Sequence, residues 1–342
     1  MSTTILLIPI LASFLVTLFL IPFWIRKAKQ IGLVWEDMNK LNSEKISGSG
    51  GIIAMSSFII GVLLYIAYNV FILKSYNSRL IETLAILNVI LILTGVGLID
   101  DLLGWRHGGL SRRSRMILVF FAAIPLMAIN AGRSIISLPF IGVVDLGLLY
   151  PLFIIPIGIV GATTTFNFLA GFNGLEAGQG IIILTSMAIV VFIMGNSWLS
   201  IIALCMIASL LAFLFYNYYP ASVFPGDSLT YAVGGLIATI SILGNFEKVA
   251  VFFFIPYIIE TLLKIRGKLA RQSFGKPNKD GSLDLRYDKI YGIEHLAIVF
   301  LKKLGVKPTE RKVVLSIWIF QIIIIIIGFI IFKEGIFRYA DQ

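Results

Sequence analysis

TILLIPILASFLVTLFLIPFWIRKAK, residues 4–29, decides the solvent in which this chain folds. From Thr4 to Ile25 there is no charged side chain, and Arg26, Lys27 and Lys29 follow at once. A helix needs roughly 20 apolar residues to cross the hydrocarbon core of a bilayer, and this run supplies them. A secretory signal would place its basic residues first, use a shorter apolar stretch and end in small residues at a cleavage site. The order here is the reverse, so the run is expected to be a first anchor whose start lies outside.

Outward from that anchor the same pattern recurs, predicting spans near 4–25, 51–73, 82–99, 115–130, 150–168, 180–195, 198–216, 228–244, 248–265 and 312–332. Pro125, Pro151 and Pro156 fall in the fourth and fifth of these and are expected to kink or interrupt them. Of the 342 residues, 58% are hydrophobic and only 13% charged, about half the charged share of a soluble domain. The apolar runs are continuous rather than alternating, which argues against a membrane β-barrel. The expected fold is therefore an all-α polytopic membrane protein of about ten transmembrane helices. Residues 1–342 read as one transmembrane domain, with 265–311 a cytoplasmic loop appended between the last two spans. Within that loop Arg271 to Asp284 is polar and turn-rich, and Ile290 to Leu304 has the periodicity of an amphipathic interfacial helix.

Orientation follows from the cations. With both termini outside, the inner loops carry 22 of the 28 Lys and Arg residues, an asymmetry that satisfies the positive-inside rule. The net charge of +10 then describes a cytoplasmic face that can hold anionic membrane lipids, not a nucleic-acid-binding surface. The single cysteine, Cys205, lies in an apolar run and reads as a small buried hydrophobe. His107 and His295 stand far apart, which argues against a histidine-rich metal cluster.

The same parity puts five polar groups on one side: Asp100 and Asp101 at the end of span three, Asn167 and Asn173 at the loop after span five, and Asp227 at the start of span eight. Adjacent carboxylates at a helix C-terminus repel its partial negative charge. A cation should offset them, either magnesium, which bridges carboxylates to phosphates, or Arg106, Arg112, Arg113 or Arg115. A plain capping role for the pair is an equal alternative, and Asp227, after Pro225 and Gly226, is by itself best read as a helix cap. GSGG at 48–51 precedes span two, where free backbone N–H groups can cradle phosphate; a flexible helix entry is the simpler reading. Glu260 and Lys264 read as an i,i+4 pair.

LIDDLLGWRH (98–107), NFLAGFNGLEAGQG (167–180) and FPGDS (224–228) resemble the polyprenyl-phosphate N-acetylhexosamine-1-phosphate transferases. AGFNGLEAGQ (170–179), DMNK (37–40) and KISG (45–48) are most similar to the eukaryotic and archaeal dolichyl-phosphate GlcNAc-1-phosphate transferases. The likeness spans most of the chain in the family's order. The histidine-rich motif that bacterial members carry in the last cytoplasmic loop is missing. Arg271 and Lys276 are the nearest match to the arginine-containing motif of the eukaryotic enzyme.

The resemblance implies that a polyprenyl phosphate, dolichyl phosphate in the nearest subgroup, attacks the β-phosphorus of UDP-GlcNAc and expels UMP. The product would be a polyprenyl-pyrophosphoryl-GlcNAc that starts a lipid-linked glycan. It assigns Mg²⁺, with Mn²⁺ as a substitute, to Asp227 and Asn173. It makes Asp100 the group that orients or deprotonates the lipid phosphate, with Asp101 in support. Substrate contacts are expected from Lys45, Gly48, Asn167, Gly174, Glu176, Phe224, Arg271, Lys276 and an arginine after the aspartate pair, Arg115 being the choice. Phe224, three residues before Asp227, would stack on uracil, an interfacial aromatic belt being the equal alternative. A homodimer is implied, in the cell membrane of an archaeon or the endoplasmic reticulum of a eukaryote. A covalent phosphosugar intermediate and another N-acetylhexosamine remain open. The competing class is a secondary transporter, which would place its polar groups near the bilayer midplane.

Overall fold

The structure is a computed structural model that describes residues 3–42, 44–75, 78–138 and 142–337. Arg338, one of the predicted outside cations, lies outside the described residues, as do the side chains of Arg106 and His107. The first helix, α1 (Thr3–Ile31), runs through Pro9 and Pro22 without a break. A two-stranded antiparallel hairpin follows, β1 (Val34–Glu36) with β2 (Lys45–Ser47). Then come α2 (Gly51–Ala67), which ends in a π-helical turn at Tyr68–Ile72, and α3 (Ser78–His107).

The predicted fourth span is two short helices, α4 (Arg112–Phe121) and α5 (Ile124–Ala128). Pro125 has no N–H to offer the carbonyl one turn back, so the helix ends before it. A hairpin of β3 (Ile135–Leu138) and β4 (Gly142–Asp145), not anticipated from sequence, leads to a π-helical turn at Tyr150–Ile154 and α6 (Ile155–Phe168). The next three helices are α7 (Leu175–Ile193), α8 (Ser197–Asn217) and α9 (Asp227–Gly244). The predicted ninth span is likewise divided, into α10 (Glu247–Phe253) and α11 (Ile255–Arg266), with Pro256 at the break. The loop beyond it holds a short hairpin, β5 (Lys276–Pro277) with β6 (Leu283–Asp284), and the amphipathic α12 (Ile293–Lys303). Two helices close the chain, α13 (Glu310–Ile331) and α14 (Lys333–Phe337).

Among the described residues eight helices are long and apolar enough to cross a membrane. They are α1, α2, α3, α6, α7, α8, α9 and α13, each counted with its π-helical extension where it has one. The outer ones show what surrounds them: Leu7, Leu11 and Phe19 on α1 and Ile319, Ile323 and Ile326 on α13 all point outward. A polytopic membrane protein accounts for apolar faces of that extent, because lipid tails solvate them.

At the centre is α9, buried from Ser228 to Gly244. Glycine makes that possible. A Cβ on Gly234 would stand 2.7 Å from the Ala162 carbonyl of α6, and one on Gly235 would stand 2.0 Å from the Leu93 side chain of α3. Bare Cα atoms let α9 meet the backbone of α6 at Gly234 and seat the Leu93 side chain of α3 at Gly235, close packing of the kind that holds helices together in lipid.

Candidate active site

The site begins with a turn. After α3 the chain reverses through Gly108 and Gly109, both in the left-handed region (φ +83° and +81°), which glycine adopts without steric penalty. The reversal returns Arg115, one turn into α4, to the end of α3. There Arg115 Nη2 donates to Asp100 Oδ1 at 3.0 Å, and its Nε lies 2.5 Å from Oδ2 as an ion pair. Leu110 N donates to Oδ1 at 2.7 Å and the Tyr231 hydroxyl, on α9, to Oδ2 at 3.3 Å. Both oxygens of Asp100 are thus engaged by protein donors, which makes it a poor proton acceptor but a firm anchor for the guanidinium. Arg112, by contrast, turns outward and donates to the Leu269 carbonyl.

Asp101 points the other way, into the N-terminus of α9. Its Oδ1 accepts from Asp227 N at 2.7 Å and its Oδ2 from Ser228 N at 3.4 Å. The cap of α9 therefore comes from α3, across the interface. Gly226, in the cap position, makes no side-chain cap bond, and a Cβ there would fall 2.3 Å from Asp101 Oδ2. Asp227 is the first helical residue and not the cap that its sequence context suggests. Its carboxylate faces Asp100, Asp101 and Arg115, and among the described residues no hydrogen-bond donor engages it.

These groups line one cavity of about 320 Å³, closed by Trp35 of β1, Ser49 and Phe224. The wall is built by backbone pairing between distant segments. Phe224 N donates to the Ser47 carbonyl at 2.7 Å, and Gly50 N and Gly51 N donate to the Phe224 and Pro225 carbonyls, each at 2.9 Å. Gly48 N is bound to the Leu33 carbonyl. So three of the amides in GSGG are engaged within the protein and are not free to cradle phosphate, the less simple of the two readings of that run. Gly48 instead makes room for Trp35, whose ring would meet a Cβ there at 1.6 Å.

The other expected site residues are more dispersed. Asn167 Oδ1 accepts from the Thr230 hydroxyl at 3.1 Å, one turn beyond Asp227. Glu176 Oε1 accepts from Gly171 N at 2.9 Å and so closes the loop before α7. Gly174, left-handed at φ +84°, is the N-cap residue of α7. Asn173 is held by Asp37 and Glu310. None of these four lines the cavity. Lys45 is exposed on β2 opposite Glu36, and Lys276 is exposed on β5 opposite Asp284. The Arg271 guanidinium lies 5.0 Å from the Tyr287 ring centroid. Those three cations are not brought to the carboxylates.

Trp35 and Tyr231 were missed from the sequence, and Ser49 was noted only as part of the GSGG run. Only Tyr231 left a signal, four residues after Asp227 and so on the same helix face. Among the described residues no group of three or more His, Cys, Asp or Glu side chains is placed to hold a metal ion by itself. The donors present are carboxylate oxygens, one of them without a hydrogen-bonding partner. That fits a hard divalent ion whose shell is completed by water and substrate phosphate.

Residues 83–245 match the family model described as glycosyl transferase family 4, a stretch that contains both ends of the site from Asp100 to Asp227. The chain is 34% identical to a Saccharolobus solfataricus protein over 95% of its own length and 96% of the relative's. That relative's name assigns it provisionally as a UDP-N-acetylglucosamine–dolichyl-phosphate N-acetylglucosaminephosphotransferase. A Dictyostelium discoideum protein bearing the same enzyme name is 32% identical over 73% of this chain and 69% of the relative. A Staphylococcus carnosus phospho-N-acetylmuramoyl-pentapeptide-transferase is 30% identical over 73% and 80%. With a likeness that runs the length of the chain and a family match that spans the cavity's carboxylates, the protein belongs to glycosyl transferase family 4.

Proposed function

We propose that this protein transfers GlcNAc-1-phosphate from UDP-GlcNAc to dolichyl phosphate, forming dolichyl-pyrophosphoryl-GlcNAc and UMP. The observation that carries the reading is the set of three carboxylates and one guanidinium facing a single cavity at one end of the helix bundle. Its nearly full-length likeness to archaeal relatives named for this reaction supplies the substrates. Both reactants are anions, so the protein's task is neutralisation and in-line positioning more than covalent help.

The Asp227 carboxylate would hold Mg²⁺, with Asn173 as its second protein ligand. When bound, the ion neutralises pyrophosphate charge and stabilises the departing UMP. Asp100 fixes Arg115 at the cavity wall, where the guanidinium can take a phosphate oxygen as a bidentate partner. Asp101 acts through α9, holding the backbone that carries Asp227. Phe224 presents an aromatic face for the uracil. Exposed Leu102 and Leu103 on α3 and Met116 and Phe120 on α4 offer an apolar track for the polyprenol beside the cavity.

The charge distribution supports ten spans, with the divided fourth and ninth completing the count, both termini outside and the cavity on the cytoplasmic face. The test is purified protein supplied with UDP-GlcNAc and dolichyl phosphate, with and without Mg²⁺. Metal-dependent formation of an organic-extractable product with equimolar UMP is the expected result. Folded protein that gives no product with this or other UDP-N-acetylhexosamines would reject it in favour of transport.

A further inference from the structure

A second cavity, of about 190 Å³, opens between the end of α2 and the start of α3. Arg79 in its wall and Asp100 of the candidate site stand near opposite ends of the same helix, α3 (Ser78–His107). At 1.5 Å per residue they are about 30 Å apart, the thickness of a hydrocarbon core. The two cavities therefore belong to opposite faces of the membrane. The second one forms where α2 changes its winding. Its last turn, Tyr68–Ile72, is π-helical, a geometry found mostly as single turns at functional sites. Lys74 then takes a left-handed conformation (φ +49°), and Ser75 N donates to the Asn69 carbonyl at 3.1 Å. That fold leaves Leu73 and Ser75 in the cavity wall, with Lys74 exposed between them.

The wall is half polar and half apolar. Arg79 and the Tyr65 and Ser75 side chains line it beside Ile66 and Leu80. Glu82, one turn after Arg79, is near enough to be affected by its charge, but among the described residues no carboxylate forms an ion pair with Arg79. On the same two segments Phe71, Ile72, Ile81 and Leu84 are exposed, and apolar side chains at a membrane helix surface are covered by lipid tails. Just beyond those tails stand the headgroup phosphates. A guanidinium meets two phosphate oxygens at once through its planar fork, Lys74 adds a second positive charge, and tyrosine suits the boundary between tail and headgroup. A soluble anion would use the cations and leave the apolar surround bare, whereas a lipid satisfies both.

We propose that this cavity binds the headgroup phosphate of an anionic membrane lipid, with Arg79 as its bidentate partner and the acyl chains lying along the exposed faces of α2 and α3. The site shares no lining residue with the carboxylate cavity and does not depend on the transfer reaction. A lipid held there ties α2 to α3 at the face opposite the carboxylates.

The experiment places the purified full chain in neutral phosphatidylcholine nanodiscs with a phosphatidylglycerol analogue that carries a photoreactive group beside its headgroup. After irradiation the labelled peptides are identified by mass spectrometry. Wild-type protein should take label within residues 65–75 and 79–83. Arg79→Ala should reduce that label roughly tenfold or more, the affinity carried by a hydrogen bond to a charged group, while label on the basic loop 265–311 stays the same. Arg79→Lys, which keeps the charge and gives up the fork, should fall between the two. Tyr65→Phe should give a smaller loss in the same direction and serves as the second variant if Arg79→Ala does not fold. Wild-type labelling of both stretches in Arg79→Ala and Tyr65→Phe would overturn the proposal. Displacement of the label by inorganic phosphate would make this a site for a soluble anion and overturn the lipid assignment, as would equal labelling by a phosphatidylcholine analogue overturn the preference for an anionic headgroup.

Discussion

Replacing Asp101 by Ala should unseat α9 before it touches any chemistry. The side chain caps two amides at the helix N-terminus, Asp227 N at 2.7 Å and Ser228 N at 3.4 Å. A hydrogen bond to a charged group contributes about 1.5–3 kcal/mol, and each buried donor left without a partner costs about 1–3 kcal/mol. The 3.4 Å bond is long and counts for less. Loss of an N-cap acid alone typically costs about 0.5–2 kcal/mol, so about 2–4 kcal/mol is the expected destabilisation. At roughly 2–4 °C per kcal/mol for a large domain, the Tm should fall by about 4–16 °C. Asp101→Asn, which keeps one acceptor oxygen on Asp227 N, should lose about half of that. The assay is thermal unfolding of purified protein followed by tryptophan fluorescence, paired with turnover normalised to folded protein. Asp101→Asn should keep turnover within about tenfold of wild type, whereas a group acting directly on the transferred phosphoryl is worth about 100-fold or more. A wild-type Tm in Asp101→Ala together with abolished turnover would refute the capping role and return Asp101 to the chemistry.

Three further outcomes follow from the geometry. Asp227→Asn should leave the Tm unchanged and lower kcat about 100-fold or more, because its carboxylate has no protein donor to lose; a lowered Tm with retained activity would contradict this. Arg115→Lys gives up the planar fork that meets both oxygens of Asp100 and should raise a substrate KM roughly tenfold in steady-state kinetics; an unchanged KM for both substrates would count against it. Burial, with the neighbouring Glu260 adding to it against the opposing Lys264, holds the Glu294 carboxyl well above its ordinary 4.5, so the folded protein keeps a proton that the unfolded chain releases. Its contribution is fully present below about pH 4.5 and is lost as pH rises toward the folded value, at up to about 1.4 kcal/mol per pH unit. The Tm measured from pH 5 to 8 should therefore fall less steeply in Glu294→Gln, and equal slopes would rule out this role.

The spans were legible because lipid imposes one requirement that hydropathy reads directly, a helix-length run without charges. The two runs that read as spans but fold as divided helices contain Pro125 and Pro256, and sequence could place the prolines without fixing on which side the helix stops. Asp100, Asp101 and Asp227 were found because the parity of the spans puts them at helix ends on one side of the membrane and because they stand in the motifs at 98–107 and 224–228. Their division of labour was not, since it depends on bonds across more than a hundred residues. Asp101 reads as a catalytic neighbour of Asp100 until α9 is seen resting on it. Arg115 could not be told from Arg112 and Arg113 until the Gly108–Gly109 turn set the phase of α4. Trp35 and Ser49 enter the cavity only because the loop after α1 pairs with residues 223–225, and no local pattern announces a pairing of that range. Glu310, at the start of an apolar helix, drew no reading from the sequence; its partners are Asn39 and Asn173.

The most direct test of the central claim is to follow two labels in one reaction, using UDP-GlcNAc labelled in both the sugar and the β-phosphate, with dolichyl phosphate as acceptor. Transfer of a sugar-1-phosphate predicts that both labels enter the lipid product in a one-to-one ratio as UMP is released. Sugar label alone in the lipid, with the β-phosphate left in UDP, would show glycosyl transfer instead and contradict the account.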